Sequence, residues 1–144
     1  MENILVALDF EPKAQYLIEM AALLAKKFDS KVWILHIASP NPDFVGYEIG
    51  PQYIRNDRAH DLRAEHKLLQ GFAQKLESKG IEAESLLIQG PTVKMILDEA
   101  QKLDIDLIVI GSHEHSLLYK AFHDTTSQNV IKKSKIPLLV VPID

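Results

Sequence analysis

After the apolar run Leu107-Ile-Val-Ile110 the chain reads Gly111-Ser-His-Glu-His-Ser, and a few residues later His123-Asp-Thr125. These side chains could serve three kinds of chemistry. A strand, a glycine stop, a polar loop and a helix opening at Thr125 form the order from which anion and nucleotide pockets are built. The start of a helix offers unpaired N–H groups and a partial positive charge. His113, Glu114, His115, His123 and Asp124 are ligand types that suit zinc or nickel. Their spacing lacks the helical His-Glu-x-x-His arrangement, so no metal is assigned to them. Ser112 beside His113 pairs a hydroxyl with a base. Adjacent side chains point apart, and the chain has no Gly-x-Ser-x-Gly elbow, so no catalytic residue is assigned and the protein is not read as an enzyme.

Two acidic residues oppose the first of these chemistries. A phosphate loop favours glycine, which lets the backbone approach the anion closely. Glu114 brings a side chain and a negative charge. Two unit charges about 5 Å apart repel by roughly 3 kcal/mol at an effective dielectric near 20. Asp124 stands just before the last helix, where an aspartate carboxylate accepts the free N–H groups that a phosphate would use. Thr125 with Gln128 offers a second capping register, one residue on, that would leave Asp124 free. Both registers are open in the sequence.

The elements that must position these residues alternate. Ile4–Leu8 is a short apolar strand ended by Asp9. Pro12 suits the start of a helix whose apolar face is Leu17, Met20, Ala21, Leu24, Ala25 and Phe28. Lys31–Ile37 is a second strand. Residues 38–51 hold Pro40, Pro42, Pro51, Gly46 and Gly50 and form an irregular loop; its Phe44, Val45, Tyr47 and Ile49 either cover the sheet end or meet a partner. A long helix over Tyr53–Ser78 turns Ile54, Leu62, Leu69, Phe72 and Leu76 inward. Its charged Arg55, Asp57, Arg58, Arg63, Glu65 and Lys67 make a solvated face, and His60 and His66 read as structural or surface residues. Gly80 is a left-handed cap. Ile81–Gln89 is the third strand, and Thr92 caps a helix to Lys102. Leu107–Ile110, a short helix from Thr125 to Lys133, and Pro137–Pro142 complete the pattern. Alternation of this kind predicts one α/β domain over 1–144, a Rossmann-like three-layer sandwich with a parallel sheet covered on both faces. In such sheets ligands sit beyond the carboxyl ends of the strands. Asp9 and the Gly111 loop then face each other if the fourth strand lies beside the first.

Composition narrows the class. The chain has 144 residues, 47% hydrophobic and 25% charged, with no cysteine and a net charge of −4. Disulfides and thiolate chemistry are excluded. The negative balance argues against nucleic acid, and no apolar run reaches the about 18 residues of a membrane span. A cytoplasmic protein is expected.

Five pieces in order carry a family resemblance: Ile4-Leu-Val-Ala-Leu-Asp9, Trp33-Ile-Leu-His-Ile37, Gly90 with Ile96-Leu97, Asp106-Leu-Ile-Val-Ile-Gly-Ser-His113, and Ile131-Lys-Lys-Ser-Lys-Ile-Pro-Leu-Leu-Val-Val-Pro142. Over the whole chain the sequence resembles the universal stress protein family. The resemblance implies a five-stranded parallel sheet ordered 3-2-1-4-5 and a homodimer through the last strand, Leu138–Val141. Many members bind ATP through a loop patterned Gly, two residues, Gly, nine residues, Gly, then Ser or Thr. Those positions are Gly111, Glu114, Asp124 and Thr125 here, so one glycine of three is present. The family's other nucleotide contacts fall on Asp9, toward the ribose, and Ile37, beside the adenine, with Ser112 following Gly111. The base and sugar side is filled suitably and the phosphate side is not. The expected function is a dimeric, non-enzymatic interaction module in stress response, with unidentified protein partners and no obligatory cofactor. An ATP or AMP sensor using the same pocket is the alternative.

Overall fold

The computed structural model describes residues 1–10, 12–38, 52–112 and 126–143, with the backbone alone over 52–58. The elements are β1 (Asn3–Ala7), α1 (Gln15–Phe28), β2 (Lys31–Ala38), α2 (Gln52–Ser78), β3 (Ala83–Gln89), α3 (Thr92–Lys102), β4 (Leu107–Ser112), α4 (Thr126–Lys133) and β5 (Leu138–Pro142). The strands lie in the order β3-β2-β1-β4-β5, and every neighbouring pair is parallel. Both the layered architecture and the strand order are those expected.

Because strand side chains alternate between faces, successive residues of β1 enter different cores. Ile4 and Val6 join Val32, Ile34 and Val109 beneath Leu17, Ala21 and Ala25 of α1 and Leu69 and Leu76 of α2. Leu5 joins Leu35, Ile37, Ile108 and Ile110 beneath Ile96 and Ala100 of α3 and Val130 of α4. The central strands are buried on both faces, which is why they read as unbroken apolar runs.

The amino ends of the strands are fastened by polar side chains. The Asp106 carboxylate accepts the backbone N–H groups of Glu2 at 2.7 Å and Asn3 at 2.9 Å. Trp33 Nε1 donates to Asn3 Oδ1 at 3.2 Å. Lys31 Nζ lies 2.9 Å from Glu84 Oε2 and 3.8 Å over the Trp33 ring. The Asn3 N–H, then that of Glu2, hold the Asp106 carboxyl below its ordinary value of 3.8.

Local differences from the sequence reading have identifiable causes. β4 does not stop at Gly111; it continues, with Gly111 paired to Val141 and Ser112 to Pro142. A Cβ on Gly111 would stand 2.6 Å from Ile143 Cδ1. The glycine therefore makes room for the end of a side chain far along the chain, which would have to shift for a larger residue, and does not mark a turn. Gly80 does cap α2, with φ of 81°, and Ile81 N–H reaches back to Leu76 O at 3.0 Å. α3 takes Pro91, extended at φ −62° and ψ 126°, as its cap, with no side-chain cap bond, so Thr92 is the first helical residue rather than the cap. In α1 Ile18 is buried, whereas Phe28 is 54% exposed at the helix end. α4 is described over Thr126–Lys133. Asp124 and Thr125, which compete for its cap, lie outside the described residues.

Candidate functional site

The carboxyl ends of β1, β2 and β4 converge at the centre of the sheet, where the strand order reverses. Ala7 pairs with Leu35 on one side and with Ile110 on the other. The residues that follow, Leu8-Asp9-Phe10, His36-Ile37 and Gly111-Ser112, are thus brought to one edge. This juxtaposition of Asp9 with the end of β4 is the one expected. Asp9 is exposed, and its Oδ1 accepts the N–H of Phe10 at 3.0 Å.

The remaining expected contacts divide. Ile37 is 7% exposed and belongs to the core beneath α3 and α4. Ser112 is 7% exposed, and its carbonyl accepts the N–H of Ile143 at 3.1 Å. Gly111 serves the packing of Ile143, with Leu17 Cδ1 the next neighbour of its missing side chain at 3.6 Å. Glu114, Asp124 and Thr125 lie outside the described residues, as do His113, His115 and His123 of the metal-ligand cluster and the apolar residues Phe44, Val45, Tyr47 and Ile49. Among the described residues no group of three His, Cys, Asp or Glu side chains could hold a metal ion.

Two residues to which the sequence reading gave no part in the site, His36 and Glu65, meet near this edge. His36 is 8% exposed. Its Nδ1 lies 2.8 Å from the Leu8 carbonyl oxygen, and since a carbonyl only accepts, Nδ1 carries the proton of that bond. The Phe10 ring sits 4.4 Å from the imidazole, tilted by 48°. On the far side of the ring, His36 Nε2 faces Glu65 Oε2 at 3.9 Å. That carboxylate oxygen is buried and, among the described residues, has no hydrogen-bond partner. Glu65 was expected on the solvated face of α2, but it turns inward. Its spacing could have revealed this, for it stands three residues after Leu62 and four before Leu69, both on the apolar face. His60 and His66 are exposed, as expected.

With this geometry in view, comparison with known proteins identifies the class. The universal stress protein family profile matches residues 1–142, and the chain belongs to that family. Universal stress protein YxiE of Bacillus subtilis is 27% identical, with 96% of this chain and 97% of that protein covered. A hypothetical protein solved as a test case for assigning biochemical function from structure superposes with a TM-score of 0.79 at 25% identity. That match covers 99% of this chain and 96% of the other. A universal stress protein family protein of Arabidopsis thaliana, solved with AMP bound, gives a TM-score of 0.72 at 18% identity, covering 100% of this chain and 93% of its own. Among the described residues no helix is long and apolar enough to cross a membrane.

Proposed function

We propose that this universal stress protein acts as a dimeric, non-enzymatic interaction module whose nucleotide pocket is weakened on its phosphate side. The carrying observation is that one glycine of the three-glycine phosphate pattern remains, and the space beside that glycine is filled by Ile143. The other two positions hold Glu114 and Asp124, whose charges repel a polyphosphate. β5 lies at the edge of the sheet, and Leu138, Leu139, Val140 and Val141 are only half-buried there. Pairing with a second copy would satisfy that edge and cover its apolar side chains.

A second reading keeps the base and sugar side. Asp9 is exposed at the switch point, and a structural neighbour was solved with AMP. With fewer phosphate charges to accommodate, AMP or adenosine is favoured over ATP. Calorimetric titration of the untagged protein with ATP and AMP, with and without magnesium, separates the readings. The module predicts no ATP heat and an unshifted melting temperature; micromolar ATP binding overturns it. The double substitution Glu114→Gly and Asp124→Gly should raise ATP affinity at least tenfold, equivalent to about 1.4 kcal/mol. An unchanged affinity in the folded variant refutes the charge argument. Sedimentation showing a monomer would refute pairing through β5.

A further inference from the structure

We infer that β5 accepts a second copy of this chain in one register, antiparallel with the two-fold axis at Leu139, and that Ser134 and Pro142 set this register by closing the strand edge on either side. The inference rests on the reading that the dimer forms through β5. β5 lies at the end of the sheet, beside β4. Two bonds fix which of its backbone groups face β4: Ile108 N–H donates to Pro137 O at 3.0 Å, and Ile143 N–H donates to Ser112 O at 3.1 Å. Along a strand the N–H and C=O groups of successive residues point to opposite sides. Leu139 and Val141 therefore face β4, while Leu138, Val140 and Pro142 face outward. That outward row is short. Pro142 offers a carbonyl but no N–H. Just before the strand, Ser134 Oγ accepts Ile136 N–H at 3.0 Å and donates to Ile136 O at 2.8 Å. One hydroxyl thus occupies both backbone groups of the residue through which pairing would extend. The N–H and C=O of Leu138 and Val140 remain, and among the described residues no turn or loop backbone group bonds to them.

A second copy presents the same window. In an antiparallel pair, directly opposed residues share a face of the sheet. A two-fold axis normal to the sheet therefore passes through a residue, never between two. With the axis at Leu139, Leu138 of each copy stands opposite Val140 of the other and exchanges both N–H···O bonds with it. Every open group of both copies is then paired. With the axis at Val140, Leu138 would oppose Pro142, and the Leu138 carbonyl would have no donor. With the axis at Leu138, Val140 would oppose Ile136, whose groups Ser134 already holds. A carbonyl buried without a donor is costly, so both alternatives lose to the first. A longer foreign strand would run past the window and meet the closed groups at its ends. The side chains agree with a second copy as occupant. Leu138 and Val140 belong to the face of α3 and α4 and Leu139 to the face of α1. All three are half-buried, and in this register each is covered by an apolar counterpart.

The chain has no cysteine, so single introduced cysteines report the register through disulfide formation between copies. In the inferred register the two Leu139 positions are a non-hydrogen-bonded pair with Cα atoms about 4.5 Å apart, within disulfide reach. The two Val140 positions, like the two Leu138 positions, are offset along the strands and lie roughly 8–9 Å apart, beyond that reach. With oxidised glutathione, Leu139→Cys should therefore cross-link about tenfold faster than Val140→Cys or Leu138→Cys. Pro142→Ala supplies the missing N–H and admits the axis at Val140, so it should speed cross-linking of Val140→Cys severalfold. Ser134→Ala frees Ile136 and should do the same for Leu138→Cys. These two arms decide the matter even where Leu139→Cys does not fold. Sedimentation of each variant separates the outcomes. A dimer that cross-links first through Val140→Cys or Leu138→Cys, or through none of the three, overturns the inference and leaves pairing through β5 standing. Rates unchanged by both Pro142→Ala and Ser134→Ala overturn it as well. A monomeric wild-type protein refutes the dimer reading and the inference with it.

Discussion

The two ends of the sheet treat polar side chains in opposite ways. At the amino ends Asp106 is exposed to water and still gathers two backbone N–H groups, while Lys31, Trp33 and Asn3 are joined to partners. At the carboxyl ends His36 is buried and faces a carboxylate oxygen that has no hydrogen-bond partner among the described residues. Exposed groups that nonetheless bond add to stability modestly, because water offers a substitute when they are lost. Buried groups in an incompletely satisfied arrangement cost more, and a fold that retains them places them near its site. The amino end is a fastening; the carboxyl end is where the chain tolerates a compromise.

Substitutions can break that comparison, beginning with the largest effect. His36→Phe keeps a ring against Phe10 but leaves the buried Leu8 O without its donor, and should cost about 2–3 kcal/mol in denaturant unfolding. A cost no greater than that of Asp106→Ala would erase the distinction between the ends. Gly111→Ala should cost about 1–2 kcal/mol by crowding Ile143. Adding Ile143→Val removes the colliding methyl and should recover most of that loss, and strictly additive effects would refute the packing account. Asp106→Ala also forfeits two hydrogen bonds, but in water, and should cost about 1 kcal/mol. Lys31→Met removes an ion pair and a cation–π contact at a partly exposed position and should cost about 0.5 kcal/mol.

The pH dependence of the fastened end has a definite sign. The folded protein holds the Asp106 carboxyl below its ordinary value of 3.8. Its contribution is fully present above that value and is lost as pH falls through the folded one. Asp106→Asn should therefore narrow the stability difference from wild type on acidification below pH of about 4. A difference that is constant through that range would mean that the two backbone bonds do not depend on the charge.

Much of the fold could be read from the sequence because each strand and helix announced itself locally. The run Ile4–Leu8, the Lys79-Gly80 stop and the apolar face of α3 needed no distant information. Strand order came with the family resemblance rather than from the pattern. What escaped was set by contacts between distant segments. Gly111 looks like a terminator after four apolar residues, and only Ile143 explains why the strand runs through it. His36 sits in a strand of β-formers and carries no local mark of being buried against α2. Glu65 was misplaced because its charge outweighed its spacing, although the Leu62–Leu69 register puts it on the inner face. The position of Asp9 at the carboxyl end of the sheet was legible because it directly follows an apolar strand, where α/β sheets expose polar groups.

The strand order also constrains how the chain is made. β1 is synthesised first, yet it lies at the centre of the sheet between β2 and β4. Once Gln89 has emerged from the ribosome, β1, β2 and β3 can pair, but the other edge of β1, Ile4 to Ala7, has to wait for Leu107 to Ile110. At ordinary elongation rates that interval is on the order of a second or a few. During it an apolar strand edge stands uncovered, which is the state that recruits wrong partners. Chains stalled before β4 should therefore bind holdase chaperones, and chains released past it should not.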